Sequence, residues 1–371
     1  MNPIKLGTSA RVRAHSLSRR SAVRGIAGGG LATALGLFAS FDQDRAAAQS
    51  DAATPVATPG PPATLSDATL SAFEADVEAA LQAFRVPGAA AALVQGDEIV
   101  FNRGFGVRDL ASGQPVTPRT RFRNGSITKS MTALLLATLV DEGVFSWDDR
   151  VVDLWPEFEA PTPELTQSLR LRDLLGMASG IAESTDLSLA AVEFLLSAGT
   201  VSAMDVLRSV SALPVIAPPN TTFSYNNTLY AAAVYLGLLA QGTAAEMLEE
   251  TFAAQVQQRV FTLIGMADAA ILDDPRPLGD DYAVGYTQDI FGDPSPLPFI
   301  SLAGIAPAGS GLASATDMAR YLITQMHHGV APDGTRVVSA TNIDEMHRPG
   351  ITLEPTALLP SDVPSDTVAL N

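Results

Sequence analysis

The stretch Phe122-Arg123-Asn124-Gly125-Ser126-Ile127-Thr128-Lys129-Ser130 carries one of only two lysines in a chain of 371 residues that has 21 arginines. The other, Lys5, lies in the N-terminal leader. Arginine stays protonated in any protein setting, whereas burial or a cationic neighbour can drive an ammonium to the free amine. A chain that uses arginine for nearly every other positive charge has kept lysine where arginine could not substitute. An amine beside a hydroxyl activates a serine without histidine, so Ser126 and Lys129 point to serine acyl-transfer chemistry. Both fall in the first turn of a helix expected to run to Glu142, with Gly143 as its stop. The three-residue spacing puts the two side chains on one face. The helix start adds free N–H groups and a positive dipole end, which favour an oxyanion near Ser126. The plain alternative for a bare Ser-x-x-Lys is a helix cap and a solvated lysine.

Tyr225-Asn226-Asn227 follows, with Tyr225 99 residues after Ser126 and just ahead of another helix. In an extended segment Tyr225 and Asn227 point to the same side. A phenolate beside an ammonium can take the serine proton, and an amide can orient substrate and lysine. The alternative is that Asn227 caps the following helix and Tyr225 packs in the core. Beyond the leader the only histidines are His327, His328 and His347, and there is neither a Gly-x-Ser-x-Gly elbow nor a His-Glu-x-x-His pair. His327-His328-Gly329 reads as a helix C-terminus with a glycine stop, and His347 before Arg348-Pro349-Gly350 reads the same way. No group of ligands suggests a metal, and no cofactor is expected.

The whole chain carries a net charge of −17, 47% hydrophobic and 17% charged residues, and no cysteine. Residues 1–48 hold seven basic and two acidic groups, so the remainder has a net charge of −22. So acidic a body repels nucleic acid and anionic lipid. Without cysteine there is no disulfide, thiolate metal site or lipid-modified thiol. Ser18-Arg19-Arg20-Ser21-Ala22-Val23-Arg24 precedes a mildly apolar run over 25–41, and Ala46-Ala47-Ala48 offers small residues for cleavage. Residues 1–48 therefore read as a signal peptide. The paired arginines and glycine-rich core favour twin-arginine export, with the Sec route as the alternative because Ala22 replaces a bulky apolar residue. Residues 49–64, rich in Pro, Ala and Thr, read as an extended linker. No other segment reaches membrane-spanning length, so no stable span is expected in the mature form.

The body opens with a helix over 66–84, followed by strands over 89–94 and 98–107 joined by a turn at Gln95-Gly96-Asp97. Helices are expected over 171–177, 190–196, 203–212, 229–241 and 244–264, and one more over 315–327 with a Ser314/Asp317 capping box. After Pro349 the chain becomes an acidic tail with Pro355, Pro360 and Pro364. Two strands are too few for an independent sheet. Either further strands come from a region outside this chain, or helices must cover the pair.

Seven motifs in order resemble the penicillin-recognising serine hydrolases, in the branch holding class C β-lactamases, D-alanyl-D-alanine carboxypeptidases and related esterases. They are Val86-Pro87-Gly88-Ala89, Arg103-Gly104-Phe105-Gly106-Val107-Arg108-Asp109, the Ser126 stretch, Leu171-Arg172-Asp173-Leu174-Leu175, Ser179-Gly180-Ile181, Phe223-Ser224-Tyr225-Asn226-Asn227 and Pro307-Ala308-Gly309-Ser310-Gly311-Leu312. Other members of the superfamily pair Ser-x-x-Lys with Ser-Asp-Asn; here Tyr-x-Asn stands in the second place. The resemblance covers about residues 65–350. It implies that Ser126 is the acylated nucleophile, Lys129 its proton partner, Tyr225 the general base that later activates water, and Asn227 the substrate-orienting amide. Met177 replaces a histidine usual in the family, a change expected to alter packing only. The third family motif, Lys-Thr-Gly or His-x-Gly on a central strand, is absent, and His327-His328-Gly329 has the wrong, helical context.

The resemblance implies an α/β (α+β), β-lactamase/transpeptidase-like fold, an antiparallel sheet flanked by helices plus a mainly helical subdomain at about 115–310. The hydrolase domain is expected over 65–371, incomplete, with its C-terminal strands missing from this chain. The implied protein is a serine hydrolase exported from the bacterial cytoplasm to the periplasm, envelope or medium. Its substrate would be a small molecule or peptidoglycan peptide: a D-Ala-D-Ala peptide, a β-lactam or a small ester. No nucleic-acid partner is expected. The alternatives are a penicillin-binding sensor without turnover, or an inactive fragment.

Overall fold

A computed structural model of the chain describes residues 65–183, 201–289 and 292–351. The expected signal peptide, the linker, the helix over 190–196 and the tail prolines lie outside the described residues.

Helix α1 (Asp67–Phe84) starts where Ser66 Oγ accepts from the Thr69 amide at 3.2 Å and stops at Arg85, whose φ is 53°. Strands β1 (Gly88–Gln95) and β2 (Glu98–Gly106) form an antiparallel hairpin turning at Gly96-Asp97, with a register shift between Leu93 and Val94. Phe101 on β2 meets Phe73 of α1 edge to face, with ring centroids 5.3 Å apart. Successive strand residues face opposite sides, and the neighbouring Asn102 donates to Thr316 Oγ1, on helix α8 (defined below), at 2.9 Å. Helices therefore cover the hairpin from both sides. Among the described residues no third strand pairs with it.

Strand β3 (Phe122–Arg123) leads into α2 (Thr128–Asp141), the helix expected to run to Glu142 with Gly143 as its stop. Met131, Leu134, Leu135, Leu136 and Leu139 are all fully buried, the mark of a helix apolar on every side and central to a core. Helices α3 (Leu171–Leu175) and α4 (Ala203–Ser209) lead to α5 (Asn227–Ala240), equally apolar and buried from Leu229 to Leu238. Gly237 lets these central helices approach: a Cβ there would lie 2.8 Å from Leu136 and 3.1 Å from Phe145.

The single helix expected over 244–264 is instead four pieces. A 3-10 turn (Ala245–Met247) precedes α6 (Leu248–Val256), a π-helical segment (Gln257–Phe261) and a last turn (Thr262–Ile264). Leu248, Phe252, Val256, Val260, Phe261 and Ile264 all face the core, which is why the apolar spacing reads as one helix.

Strand β4 (Ala270–Ile271) is followed by a small antiparallel pair, β5 (Tyr286–Gln288) with β6 (Pro294–Pro296). Helix α7 (Ala306–Gly309), which the sequence did not announce, precedes β7 (Gly311–Ala313). Strand β7 lies between β3 and β4, pairing Arg123 and Ala270 with Leu312. Helix α8 (Ala315–Met326) has the expected capping box: Ser314 Oγ accepts from the Asp317 amide at 3.1 Å, and Asp317 accepts from the Ser314 amide at 3.0 Å. It ends at His327, with His328 and Gly329 at φ of 49° and 85°. Helix α9 (Ala340–His347) docks on α2 through Asn342, which donates to Asp141 at 2.7 Å and accepts from the Trp147 indole at 2.7 Å. No helix among the described residues is long and apolar enough to cross a membrane.

Candidate active site

Ser126 sits in a 3-10 turn (Gly125–Ile127) that runs directly into α2, a tighter start than the α-helical turn expected. Gly125 has φ of 51°, a backbone state that glycine adopts at little cost. The buried Thr128 hydroxyl donates to Gly125 O at 2.6 Å and accepts from the Gly311 amide at 2.9 Å. Asn124 N donates to Gly311 O at 2.8 Å. The turn is thus stitched to strand β7, leaving Ser126 exposed and Lys129 only 7% exposed beneath it.

Lys129 Nζ donates to Tyr225 Oη at 2.6 Å, Asn227 Oδ1 at 2.7 Å, Ala308 O at 2.9 Å and Ser126 Oγ at 3.2 Å. Tyr225 Oη donates to Ser126 Oγ at 2.5 Å. The four side chains picked out in the sequence therefore form one cluster. Lys129 is not a solvated helix lysine. Tyr225 is not a core residue either, being 41% exposed. Asn227 is not the cap of α5: Asn226 takes that role, its Oδ1 accepting from Leu229 N at 2.8 Å. With Asn226 extended at φ −147°, Tyr225 and Asn227 both reach the amine, as the alternation of an extended segment requires.

Burial disfavours the ammonium and pulls Lys129 down from 10.5 to about 8, while the Glu183 carboxylate pulls it partly back. Burial pushes the Tyr225 hydroxyl above its ordinary range; its bond to Ser126 opposes this, and Glu183 adds to it. The amine also lies 4.7 Å from the Tyr225 ring centroid and 5.6 Å from that of Tyr230. The buried Tyr230 hydroxyl donates to Lys129 O at 2.6 Å.

Two members of the cluster were missed in the sequence. Ala308 lies within a motif already singled out, yet it acts through its carbonyl, which has no side-chain signature. Glu183 accepts from Asn227 Nδ2 at 3.0 Å, and from Thr228 N and Oγ1 at 3.2 Å each. Its only signal was its place two residues after Ser179-Gly180-Ile181. Met177 is buried at φ of 54°, and its carbonyl accepts from Ser224 N at 2.8 Å, tying this segment to the one that carries Tyr225.

A serine, a buried amine and a phenol joined by hydrogen bonds at the mouth of a central helix form a serine–lysine constellation on a mixed α/β scaffold. The chain belongs to the Beta-lactamase family, whose model matches residues 73–360. Its fold is β-lactamase/transpeptidase-like: helices flank antiparallel strands as in the octameric penicillin-binding protein homologue from Pyrococcus abyssi. That likeness has a TM-score of 0.65 at 24% identity and covers 76% of this chain and 61% of that one. Penicillin-binding protein 4 of Amycolatopsis lactamdurans is 31% identical over 260 residues, which are 69% of this chain and 64% of that protein. A D-aminopeptidase of Cereibacter sphaeroides is 30% identical over 225 residues, 58% of this chain and 39% of that enzyme. The chain thus spans 64% and 39% of the length of these two curated relatives.

Proposed function

We propose that this chain is a serine hydrolase that cleaves an amide or ester through an acyl group on Ser126. The observation that carries the reading is the hydrogen-bonded triangle of Ser126 Oγ, Tyr225 Oη and Lys129 Nζ, with sides of 2.5, 2.6 and 3.2 Å. Ser126 Oγ attacks the substrate carbonyl carbon. With the Tyr225 hydroxyl turned from Ser126 towards the neutral Lys129 amine, the serine proton passes to Tyr225 Oη as the phenolic proton moves to that amine. The two groups act as one base, with Lys129 the one that ionises nearer neutrality. The oxyanion forms beside the N–H groups at the start of the helix. The proton returns to the leaving amine or alkoxide as the carbon–heteroatom bond breaks, leaving an ester on Ser126. Water, losing a proton to the same pair, then hydrolyses that ester.

The substrate class is a small amide or ester: a cell-wall D-alanyl peptide, a β-lactam or a simple ester. The relatives named penicillin-binding protein and D-aminopeptidase support the amide side of that range. The leader over 1–48 supports export from the cytoplasm. Intact-mass analysis with a fluorophosphonate and a penicillin should show one adduct per chain, lost in Ser126→Ala. An adduct surviving at another serine overturns the reading. Turnover of a chromogenic ester, a cephalosporin and a D-amino-acid anilide then separates a hydrolase from a binder, for which a single burst without turnover is the outcome.

A further inference from the structure

We propose that Glu183 is the positioning residue of this site, holding the Asn227 amide so that its oxygen, not its nitrogen, faces Lys129. The proposal deepens the hydrolase reading and rests on it for its meaning. An asparagine amide is nearly symmetrical in shape, so either end could lie against the lysine. Turned round, its NH2 would set donor against donor. What fixes the orientation is an acceptor on the far side, the Glu183 carboxylate oxygen 3.0 Å from Asn227 Nδ2. Glu183 is itself held, for its other oxygen accepts from Thr228 N and Thr228 Oγ1 at the start of α5.

The consequence reaches the reacting proton. Asn227 Oδ1, so oriented, and Ala308 O can only accept, and each takes one N–H of Lys129. A neutral amine has just two. Its lone pair is then left pointing to the two hydroxyls that can donate, Tyr225 Oη and Ser126 Oγ. Glu183, acting through Asn227, thereby aims the lone pair at the proton it must collect. Its negative charge also supports the ammonium. The groups facing the amine are Glu183, Tyr225 and the Tyr230 ring, whose hydroxyl burial keeps protonated. A helix cap alone is a poor account of Glu183, because Asn226 already caps α5.

Lys5 and Lys129 are the only lysines, so full-length protein carrying 13Cε-labelled lysine reports the Lys129 titration directly, without substrate. Glu183→Gln should lower that midpoint by about one pH unit, and the fluorophosphonate labelling rate of Ser126 on its high-pH plateau should fall at least about ten-fold. Glu183→Asp keeps the charge but shortens the reach, so labelling should fall while the midpoint moves less than in the Gln variant. A merely structural role would lower the melting temperature and leave both readouts in place, which overturns the proposal. So would wild-type midpoint and labelling in whichever variant folds. If the wild type itself is not labelled yet the midpoint still falls in Glu183→Gln, the hydrolase reading fails and the positioning role stands.

Discussion

Around Lys129 Nζ, four acceptors converge within 2.6 to 3.2 Å of a single atom. A guanidinium spreads its donors over a planar fork and does not give up its proton. Lys129→Arg should therefore abolish Ser126 labelling as fully as Lys129→Ala, by about 100-fold or more. An Arg variant keeping more than a tenth of the rate would reduce Lys129 to an electrostatic anchor. In the wild type the labelling rate should rise with pH through about 8, because burial makes the amine available well below the ordinary lysine range. Tyr225→Phe removes the relay and should lower the rate across the whole pH range. The site was legible at this scale where chemistry lies in rare side chains: one lysine, one Tyr-x-Asn. It was illegible for Ala308, which acts through backbone, and for Glu183, one of 40 acids whose partner lies 44 residues away.

Among the elements, the 3-10 turn depends on its seam with β7. A Cβ on Gly311 would lie 2.5 Å from Thr128 Oγ1, an atom already fixed by two hydrogen bonds. Gly311→Ala should destabilise the protein by about 1–3 kcal/mol, the usual range for overpacking. Thr128→Val keeps the shape but leaves Gly311 N without its partner, again a loss of about 1–3 kcal/mol. Urea midpoints measure both, and Ser126 labelling of the folded protein should drop in each. Wild-type labelling in Thr128→Val would detach the seam from the chemistry. Long helices such as α2, α5 and α8 were readable from their apolar period or caps. Strands β3, β4 and β7, of two or three residues, are too short to show an alternation, and nothing local marks the π segment at Gln257–Phe261.

Across the whole molecule, burial is uneven. Helices α2 and α5 share one core cluster, whereas α1 fully buries no residue and every residue of β1 is only half-buried. Local opening follows such differences in packing. Amide hydrogen exchange should be slowest in α2 and α5, and at least about ten-fold faster in α1 and the hairpin. Equal protection throughout would show that the hairpin and α1 are as firmly held as the core. That two strands need cover was readable from their number alone. That α1 and α8 supply it was not, since Phe73 meets Phe101, and Asn102 meets Thr316, only through tertiary packing.

The acceptors of Lys129 come from residues 126, 225, 227 and 308, so unfolding scatters them all. The lysine then returns from about 8 to its ordinary 10.5. At pH 9 the native site holds an amine and the denatured chain an ammonium, so denaturation takes up close to one proton here. Since the denatured state binds more protons, native stability should rise with pH from about 8 to about 10.5, by at most about 1.4 kcal/mol per pH unit. Below about 8 both states are protonated, and the full cost of burying the charge weighs on the fold. Calorimetry at pH 9 in buffers of differing ionisation enthalpy, comparing wild type with Lys129→Met, should find this proton in the former and not in the latter. The free amine that prepares the serine near neutrality is thus obtained at the expense of fold stability below about pH 10.5.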